Sequence, residues 1–279
     1  MLIIEIIKAV VIGIVEGITE WLPVSSTGHL ILLDELIRLD VSVAFYEMFL
    51  VVIQLGAILA VPILFWKWLN PLSYKNNSAD RRQIYKIWGR VIVGSMPACL
   101  LGLILDDLLD RYFYNYIVVS IMLIIYGIGF VWVEKSRIGK KCRVNHIEEI
   151  TYADALKIGA FQALSLIPGT SRSGSTILGG IISGVSREVS AEFSFFMAIP
   201  IMLGASGLKC IKYVLSGIRI TNSEIVILLV GIVTSFFVSL CVISFLIDFV
   251  KRHNFKVFGY YRIALGFVII LYFLTNNVF

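Results

Sequence analysis

The residues with the clearest chemical potential lie in one short stretch, residues 16–30, which reads EGITEWLPVSSTGHL. It holds two glutamates, four hydroxyl side chains and a histidine, directly after the apolar run Ile3–Val15. Glu16 and Glu20 are four residues apart, so on a helix both carboxylates point the same way and repel each other. Mg²⁺ or Ca²⁺ would remove that repulsion, because hard cations bind carboxylates together with substrate phosphate oxygens. We therefore predict a metal site at Glu16 and Glu20; a protonated glutamate or a water-filled cavity is the alternative.

Hydroxyl side chains cluster at two points where proline and glycine interrupt the apolar sequence. The interruptions are Pro23 and Gly28 in the first case, and Pro168, Gly169 and Gly174 in the second. The clusters are Ser25, Ser26 and Thr27, and then Thr170, Ser171 and Ser173. A helix that begins after such a break presents free N–H groups and a positive dipole end, which together favour an anion. Helix capping explains one hydroxyl at each break and leaves the others for function.

Two further side chains, Arg172 and His29, complete a reaction centre. Arg172 lies inside the second cluster, and an arginine at membrane depth is costly and marks a functional site by default. Its planar fork suits two phosphate oxygens. His29 follows the first break and suits general acid/base catalysis, with Ser26 or Thr27 as the hydroxyl nucleophile. This set of residues predicts phosphoryl transfer, whose catalysis depends on charge neutralisation and positioning. The substrate must partition into the bilayer, and a lipid pyrophosphate meets that requirement.

The composition places these residues in an integral membrane protein. Of 279 residues, 58% are hydrophobic and 15% are charged, far from the ~25% charged residues of soluble domains. Most of the apolar runs are long enough to cross the bilayer as helices. They are residues 48–66, 87–105, 115–133, 193–208, 225–247 and 263–274. We predict one all-α membrane domain over residues 1–279, with about six crossings and no signal peptide. The net charge of +5 reflects the loops and is not a nucleic-acid signal.

The loop charges predict a topology. Basic residues are concentrated in residues 67–90, 134–157 and 248–262, the last with Lys251, Arg252, Lys256 and Arg262. The positive-inside rule puts these three loops in the cytoplasm and both chain termini outside. Only two clear spans separate the second and third basic loops, so residues 153–184 must enter and leave the membrane on the same side.

The chain also resembles itself at a shift of 146 residues. Matched positions are Ile12-Gly13 with Ile158-Gly159, Glu16 with Gln162, Ser25 with Ser171, Thr27 with Ser173, Gly28 with Gly174, and Ile31-Leu32 with Ile177-Leu178. The repeats cover about residues 1–134 and 150–279. Three predicted crossings lie between the copies, so the second copy is inverted relative to the first. We expect two re-entrant helix hairpins: 1–38 from outside and 153–184 from the cytoplasm.

Two segments resemble a known family. EGITEWLPVSSTGH and PGTSRSGST are similar to the signature motifs of the bacterial undecaprenyl-diphosphate phosphatases of the bacitracin-resistance type. The matching positions are Glu16, Glu20, Ser25–His29, Pro168, Gly169, Ser171–Ser173 and Thr176. The likeness continues through FYEMFLVVIQLGAILAV and AEFSFFMAIP, so it covers nearly the whole chain.

The resemblance implies a metal-dependent hydrolase that converts undecaprenyl diphosphate to undecaprenyl phosphate and phosphate, recycling the carrier lipid for peptidoglycan and conferring bacitracin resistance. It implies a multi-pass protein of the bacterial plasma membrane with its site facing outside. The predicted catalytic residues are Ser26, Thr27, His29 and Glu20. The predicted substrate-binding residues are Arg172, Ser171, Ser173, Thr176, Ser25 and Gly169. Membrane lipid is the other expected partner. The resemblance is compatible with a homodimer but does not require one.

Two other functions share some of these features. A lipid-carrier or anion transporter also uses inverted repeats and helix N-termini at the midplane, but it needs neither a nucleophile nor paired carboxylates. An intramembrane serine protease needs a partnered serine and histidine, and nothing in its chemistry uses Arg172 or two glutamates. Phosphate release from detergent-solubilised protein separates hydrolysis from transport, because transport requires sealed compartments.

Overall fold

A computed structural model describes residues 2–73, 77–137 and 140–276, and within these ranges the chain is helical with no strand. The helices are α1 (Leu2–Thr19), α2 (Ser26–Leu36), α3 (Val43–Leu64), α4 (Trp66–Leu69), α5 (Ser78–Phe113), α6 (Tyr116–Ser136), α7 (Tyr152–Leu164), α8 (Arg172–Ile182), α9 (Arg187–Leu215), α10 (Asn222–Arg252) and α11 (Lys256–Thr275). A short 3₁₀ turn covers Ile147–Glu149. The all-α prediction is confirmed.

Six described helices are long and apolar enough to cross a membrane, namely α3, α5, α6, α9, α10 and α11. Each overlaps one of the predicted crossings over nearly the whole length of that crossing, so the prediction of about six crossings is confirmed. Most of the helices are longer than the apolar runs because capping, rather than hydropathy, sets their ends. Asn77 and Asp80 form a capping box at the start of α5, and the Ser186 side chain caps α9.

The first predicted hairpin consists of the longer α1 and the shorter α2, and the start of α1 lies against the residues that follow α2. The Lys8 ammonium donates to the Glu5 carboxylate at 2.8 Å and to the Arg38 carbonyl at 2.7 Å. The second Glu5 oxygen accepts the Asp40 N–H at 2.8 Å. α1 has 18 residues and α2 has 11, so α1 extends roughly 27 Å and α2 roughly 16 Å at 1.5 Å per residue. The chain therefore runs along α1 and returns along the shorter α2 to the end of the hairpin where it began.

The second hairpin, α7 and α8, is closed in the same way by Arg143. Its guanidinium pairs with Asp154 at the start of α7 and donates to the Ser183 carbonyl, after α8, at 3.4 Å. Burial alone would raise the pKa of Asp154, but hydrogen bonds from Thr151 and Arg143 hold it below its ordinary value, so the ion pair persists. Both hairpins have the shape that re-entry requires; re-entry itself stays a prediction.

Glycines allow the hairpins to pack closely against crossing helices. α1 lies on α10, where a Cβ on Gly17 would approach the Ser235 carbonyl oxygen to 2.9 Å. α7 lies on α5, where a Cβ on Gly159 would overlap the Gly94 carbonyl. Small residues at such contacts bring membrane helices together through van der Waals packing. These contacts fix the positions of α1 and α7, which lead into the two breaks, against α10 and α5.

The order of elements is the same in the two halves. A broken hairpin followed by three long helices appears first as α1–α2 with α3, α5 and α6, and then as α7–α8 with α9, α10 and α11. This order agrees with the repeats placed at about 1–134 and 150–279. Their inverted orientation stays a prediction, and the predicted location of the chain termini concerns Met1 and Phe279, which lie outside the described residues.

Candidate active site

The two breaks have the same backbone geometry. Ser25 and Ser171, 146 residues apart, are the two described non-glycine residues with positive φ, at 73° and 70°. Each caps the helix that follows: Ser25 Oγ accepts the Gly28 N–H at 3.4 Å and Ser171 Oγ accepts the Gly174 N–H at 3.1 Å. Non-glycine residues seldom adopt this conformation, and such strain concentrates at functional sites.

Gly169 has a steric reason to be glycine. Its φ is +88°, and a Cβ there would lie 2.5 Å from the Val119 carbonyl oxygen of α6. Gly169 follows Pro168, which lies four residues beyond the end of α7 at Leu164 and prevents the helical hydrogen bonding from resuming there, because proline has no N–H group. The predicted substrate-binding role of Gly169 stays a prediction; the structure shows that this residue lets the second turn pass close to α6.

Arg172 joins the two breaks. Its Nε and Nη2 both donate to Glu20 Oε1, at 3.2 and 3.1 Å, although Glu20 is 152 residues away in sequence. Its Nη1 donates to the Ser194 carbonyl at 2.8 Å, and the guanidinium lies 5.6 Å from the Trp21 ring centre. The Arg172 and Glu20 side chains are only 10% and 9% exposed. The Arg172 guanidinium, which is predicted to bind phosphate, therefore faces the first break and Glu20, one of the two predicted metal ligands.

Glu16 is fully buried, and neither of its carboxylate oxygens has a hydrogen-bond partner among the described residues. Glu20 and Arg172 act on it electrostatically, and Gln54 of α3 lies beside it without meeting hydrogen-bond geometry. Burying a carboxylate with no partner is expensive, so a proton or a cation must accompany it. The oxygen donors of Glu16 and Glu20 suit Mg²⁺ or Ca²⁺.

The protein itself supplies only a few of the ligands that a metal ion at Glu16 and Glu20 would need. The described residues contain no group of three or more His, Cys, Asp or Glu side chains placed to hold one ion. A cation between Glu16 and Glu20 would therefore complete its coordination with substrate oxygens or water, as Mg²⁺ commonly does. The residues present fit a metal that binds together with a phosphate ligand.

Ser26 is the hydroxyl in direct contact with the acidic pair. Its Oγ donates to Glu20 Oε2 at 3.3 Å, and its side chain is half-buried at the start of α2. Thr27 follows it and is also half-buried. Glu20 thus accepts from Arg172 through one oxygen and from Ser26 through the other, which links the predicted nucleophile to the predicted phosphate ligand.

His29 has both ring nitrogens engaged. Nδ1 lies 2.7 Å from the Ser25 carbonyl oxygen and Nε2 lies 2.6 Å from the Tyr261 hydroxyl. A carbonyl only accepts, so Nδ1 carries the proton, and in the neutral ring Nε2 accepts from Tyr261. The two rings are nearly parallel, at 9°. Neither of these bonds joins His29 to Ser26 or Thr27, and the general acid/base role of His29 stays a prediction.

The remaining predicted binding residues hold the second turn together. Ser173 Oγ donates to the Glu20 carbonyl at 2.9 Å, and Ser171 Oγ lies 3.2 Å from Ser173 Oγ. Thr176 Oγ1 donates to the Arg172 carbonyl at 2.9 Å and lies 2.6 Å from Ser194 Oγ. These hydroxyls satisfy one another and the backbone, so they fix the start of α8 against the end of α1.

Sequence reasoning missed two neighbouring residues of α11. The assignment of Arg262 to a basic cytoplasmic loop is wrong: it lies within α11, is fully buried, and donates to carbonyls of both turns. Tyr261 contacts His29. The sequence did offer a signal for the position of Arg262: it directly precedes the apolar run 263–274, so it can belong to the helix that this run forms.

Comparison with known proteins gives consistent matches over the whole chain. The sequence model of the family described as "Bacitracin resistance protein BacA" matches residues 9–268. The undecaprenyl-diphosphatase of Desulfitobacterium hafniense is 52% identical over 279 residues, covering 100% of this chain and 99% of the relative. That of Enterococcus faecalis is 52% identical over 276 residues, covering 99% of this chain and all of the relative. That of Streptococcus mutans is 51% identical over 280 residues, covering both chains fully.

Proposed function

Because this chain belongs to the bacitracin resistance protein BacA family, we propose that it is an undecaprenyl-diphosphatase, which hydrolyses the lipid diphosphate and so recycles the carrier lipid for peptidoglycan synthesis and confers bacitracin resistance. Relatives of that name match the chain from end to end. The observation that carries the proposal is the convergence of Arg172, Glu20 and Ser26 at two helix N-termini. A transporter would need the positive groups but not the serine–carboxylate contact.

The reaction breaks the bond between the bridging oxygen and the terminal phosphorus. Lipid monophosphate leaves with the bridging oxygen, and water supplies the oxygen and protons that complete inorganic phosphate. Charge on the transferred group is spread over its outer oxygens, so fixed positive groups supply most of the catalysis. The free N–H groups of α2 and α8 and the Arg172 guanidinium are those groups here.

A two-step course fits the contacts of Ser26. Its hydroxyl attacks the terminal phosphorus and loses its proton to Glu20 Oε2, which it already contacts at 3.3 Å, or to His29 after that ring leaves Tyr261. That proton leaves with the departing lipid monophosphate, which frees the base. Water then cleaves the phosphoserine, and the same base takes the proton of the attacking water and returns it to Ser26 Oγ as the bond to phosphorus breaks. Hydrogen bonds of this kind are often loose before the substrate binds, so the 3.3 Å contact between Ser26 and Glu20 is compatible with proton transfer.

Glu16 and Glu20 are the residues that would hold a divalent cation. When bound, Mg²⁺ or Ca²⁺ would neutralise phosphate charge and orient the diphosphate. The buried and unpartnered carboxylate of Glu16 supports this role, because it needs a positive partner that no described side chain supplies through a hydrogen bond.

The function is tested by phosphate release from purified protein in detergent. The wild type, given undecaprenyl diphosphate and Mg²⁺, is expected to release inorganic phosphate in a one-to-one ratio with lipid monophosphate. Detergent removes any sealed compartment, so a transporter gives no signal. Absence of phosphate release with both Mg²⁺ and Ca²⁺, from protein that remains folded, would overturn the proposal.

The metal role predicts the behaviour of Glu16→Gln. This change removes the buried charge with little change in volume, so we expect the protein to fold and turnover to fall about 10²-fold or more. Metal concentration for half-maximal activity should rise. The control is Glu47→Gln, at an exposed carboxylate away from both breaks, which should leave metal dependence unaltered. Unchanged metal dependence in a Glu16→Gln/Glu20→Gln double variant would count against the site.

The proposed location is the bacterial plasma membrane, with the reaction site open to the outside. The basic loops support this orientation through the positive-inside rule. In a variant without the four native cysteines, Ser216→Cys follows α9 on the predicted outer side, and His253→Cys lies between α10 and α11 on the inner side. An impermeant maleimide added to intact cells should label the first and spare the second. The reverse result would invert the topology.

A further inference from the structure

Arg262 connects the two turns, which are the helix breaks at residues 23–25 and 168–171. The side chain is fully buried in α11. Nη1 donates to the Pro23 carbonyl at 3.2 Å, and Nη2 donates to the Gly169 and Thr170 carbonyls at 2.9 Å each. Pro23 lies two residues before the strained Ser25, and Thr170 immediately precedes the strained Ser171. One side chain therefore holds the backbone of both halves.

The charge of Arg262 has no ionic partner among the described residues. Its interactions are the three carbonyls and the face of Tyr126, whose ring centre is 5.5 Å away. Its Nε is buried without a hydrogen bond, and Nη1 would be 2.9 Å from a Cβ on Gly174. A buried, unpaired guanidinium is costly. A residue that only joined the two turns could be neutral, so the presence of a buried positive charge at this position needs a functional explanation.

We propose that Arg262 is a positioning residue for the hydrolysis: it fixes the separation of the two turns, so that the N-termini of α2 and α8 converge with Arg172 on one diphosphate, and its unneutralised charge favours the anion. The inference rests on the proposed function. Arg262 acts through the turns, because its hydrogen bonds all go to backbone carbonyls of those turns. Misplacement of positioned groups by about 1 Å costs about 10²-fold in rate.

The test is a double-mutant cycle between Arg262→Gln and Arg172→Lys, read as turnover. If Arg262 positions the turns, Arg172 is already misplaced in Arg262→Gln, so the second change should cost much less than it does in the wild type. The matched control is Arg187→Gln, at an arginine paired with Glu134 away from the turns. Its effect should add to that of Arg172→Lys. Additive losses for Arg262→Gln as well would overturn the proposal.

A second measurement does not depend on hydrolysis. Inorganic phosphate should raise the thermal unfolding temperature of the wild type and of Arg187→Gln, and should fail to raise that of Arg262→Gln. A shift of wild-type size in Arg262→Gln would also overturn the proposal. If the wild type releases no phosphate from the lipid, the proposed function fails, and this binding test still decides the role of Arg262. Should Arg262→Gln not fold, Arg262→Lys keeps the charge but cannot reach three carbonyls, and the same two measurements apply.

Discussion

Arg172→Lys is expected to lower turnover by about 10²- to 10³-fold, the typical loss when one preorganised electrostatic partner of a transition state is removed. Lysine keeps the charge but presents one nitrogen in place of a planar fork. In the structure Nε and Nη2 reach Glu20 while Nη1 reaches the Ser194 carbonyl. A lysine cannot hold Glu20 and this carbonyl in the same geometry and still meet two phosphate oxygens.

The measurement is steady-state phosphate release over a range of substrate concentrations. We expect the loss to appear mainly in turnover, because the fork is needed where charge develops, with a smaller change in the Michaelis constant. The control is Arg187→Lys, which changes a comparable two-point contact with Glu134 outside the site and should keep its turnover. Near-normal turnover in Arg172→Lys would show that a point charge is sufficient there.

Much of the fold follows from local signals in the sequence. Runs of apolar residues predict the six crossings, and Pro23, Pro168 and Gly169 predict the two breaks. Helix ends are less predictable from hydropathy because caps extend helices into polar sequence, as Asn77 and Asp80 do for α5. The closure of the hairpins by Lys8 and Arg143 depends on contacts between distant residues, which charge counting does not supply.

The site was predictable in its residue types but not in its pairings. The residue types around the two breaks indicate Arg172, Glu20 and Ser26 as functional residues, and the structure brings these three together. Which carboxylate oxygen faces which donor is decided by the contact between the start of α8 and the turn that follows α1, where Ser173 Oγ donates to the Glu20 carbonyl. The contact between His29 and Tyr261 joins residues 232 positions apart, and nothing local to either residue specifies it.

The two halves match in shape and differ in charge. Glu16 and its repeat partner Gln162 are both fully buried, and the terminal side-chain atoms of both have no hydrogen-bond partner among the described residues. A neutral amide cannot repel Glu20 or bind a cation as a carboxylate does. The acidic pair therefore belongs to the first hairpin and the arginine to the second. The repeat supplies two strained turns and two helix N-termini, and the differences between its copies supply the chemistry.

Ser26→Ala should nearly abolish turnover, by at least about 10³-fold, if its hydroxyl is the nucleophile. Ser26 is the cluster hydroxyl that donates to Glu20 Oε2, so a carboxylate is already in place to accept its proton. Thr27→Ala removes a hydroxyl from the same turn and is the matched control. Loss of a hydrogen-bond donor there should cost ~1–3 kcal/mol, which is roughly fivefold to 160-fold in rate.

A rapid-quench experiment decides between the serine and water as the attacking group. With substrate labelled in its terminal phosphate, wild-type protein quenched early in the reaction should carry the label covalently, and Thr27→Ala should carry it as well. Ser26→Ala should carry none. Substitution of His29 by glutamine then tests the base, because label should accumulate on Ser26 if His29 is needed only to activate the water that cleaves the phosphoserine. If both alanine variants keep substantial rates and no variant retains label, covalent catalysis fails, and direct attack by water with His29 as its base becomes the mechanism that the contacts support.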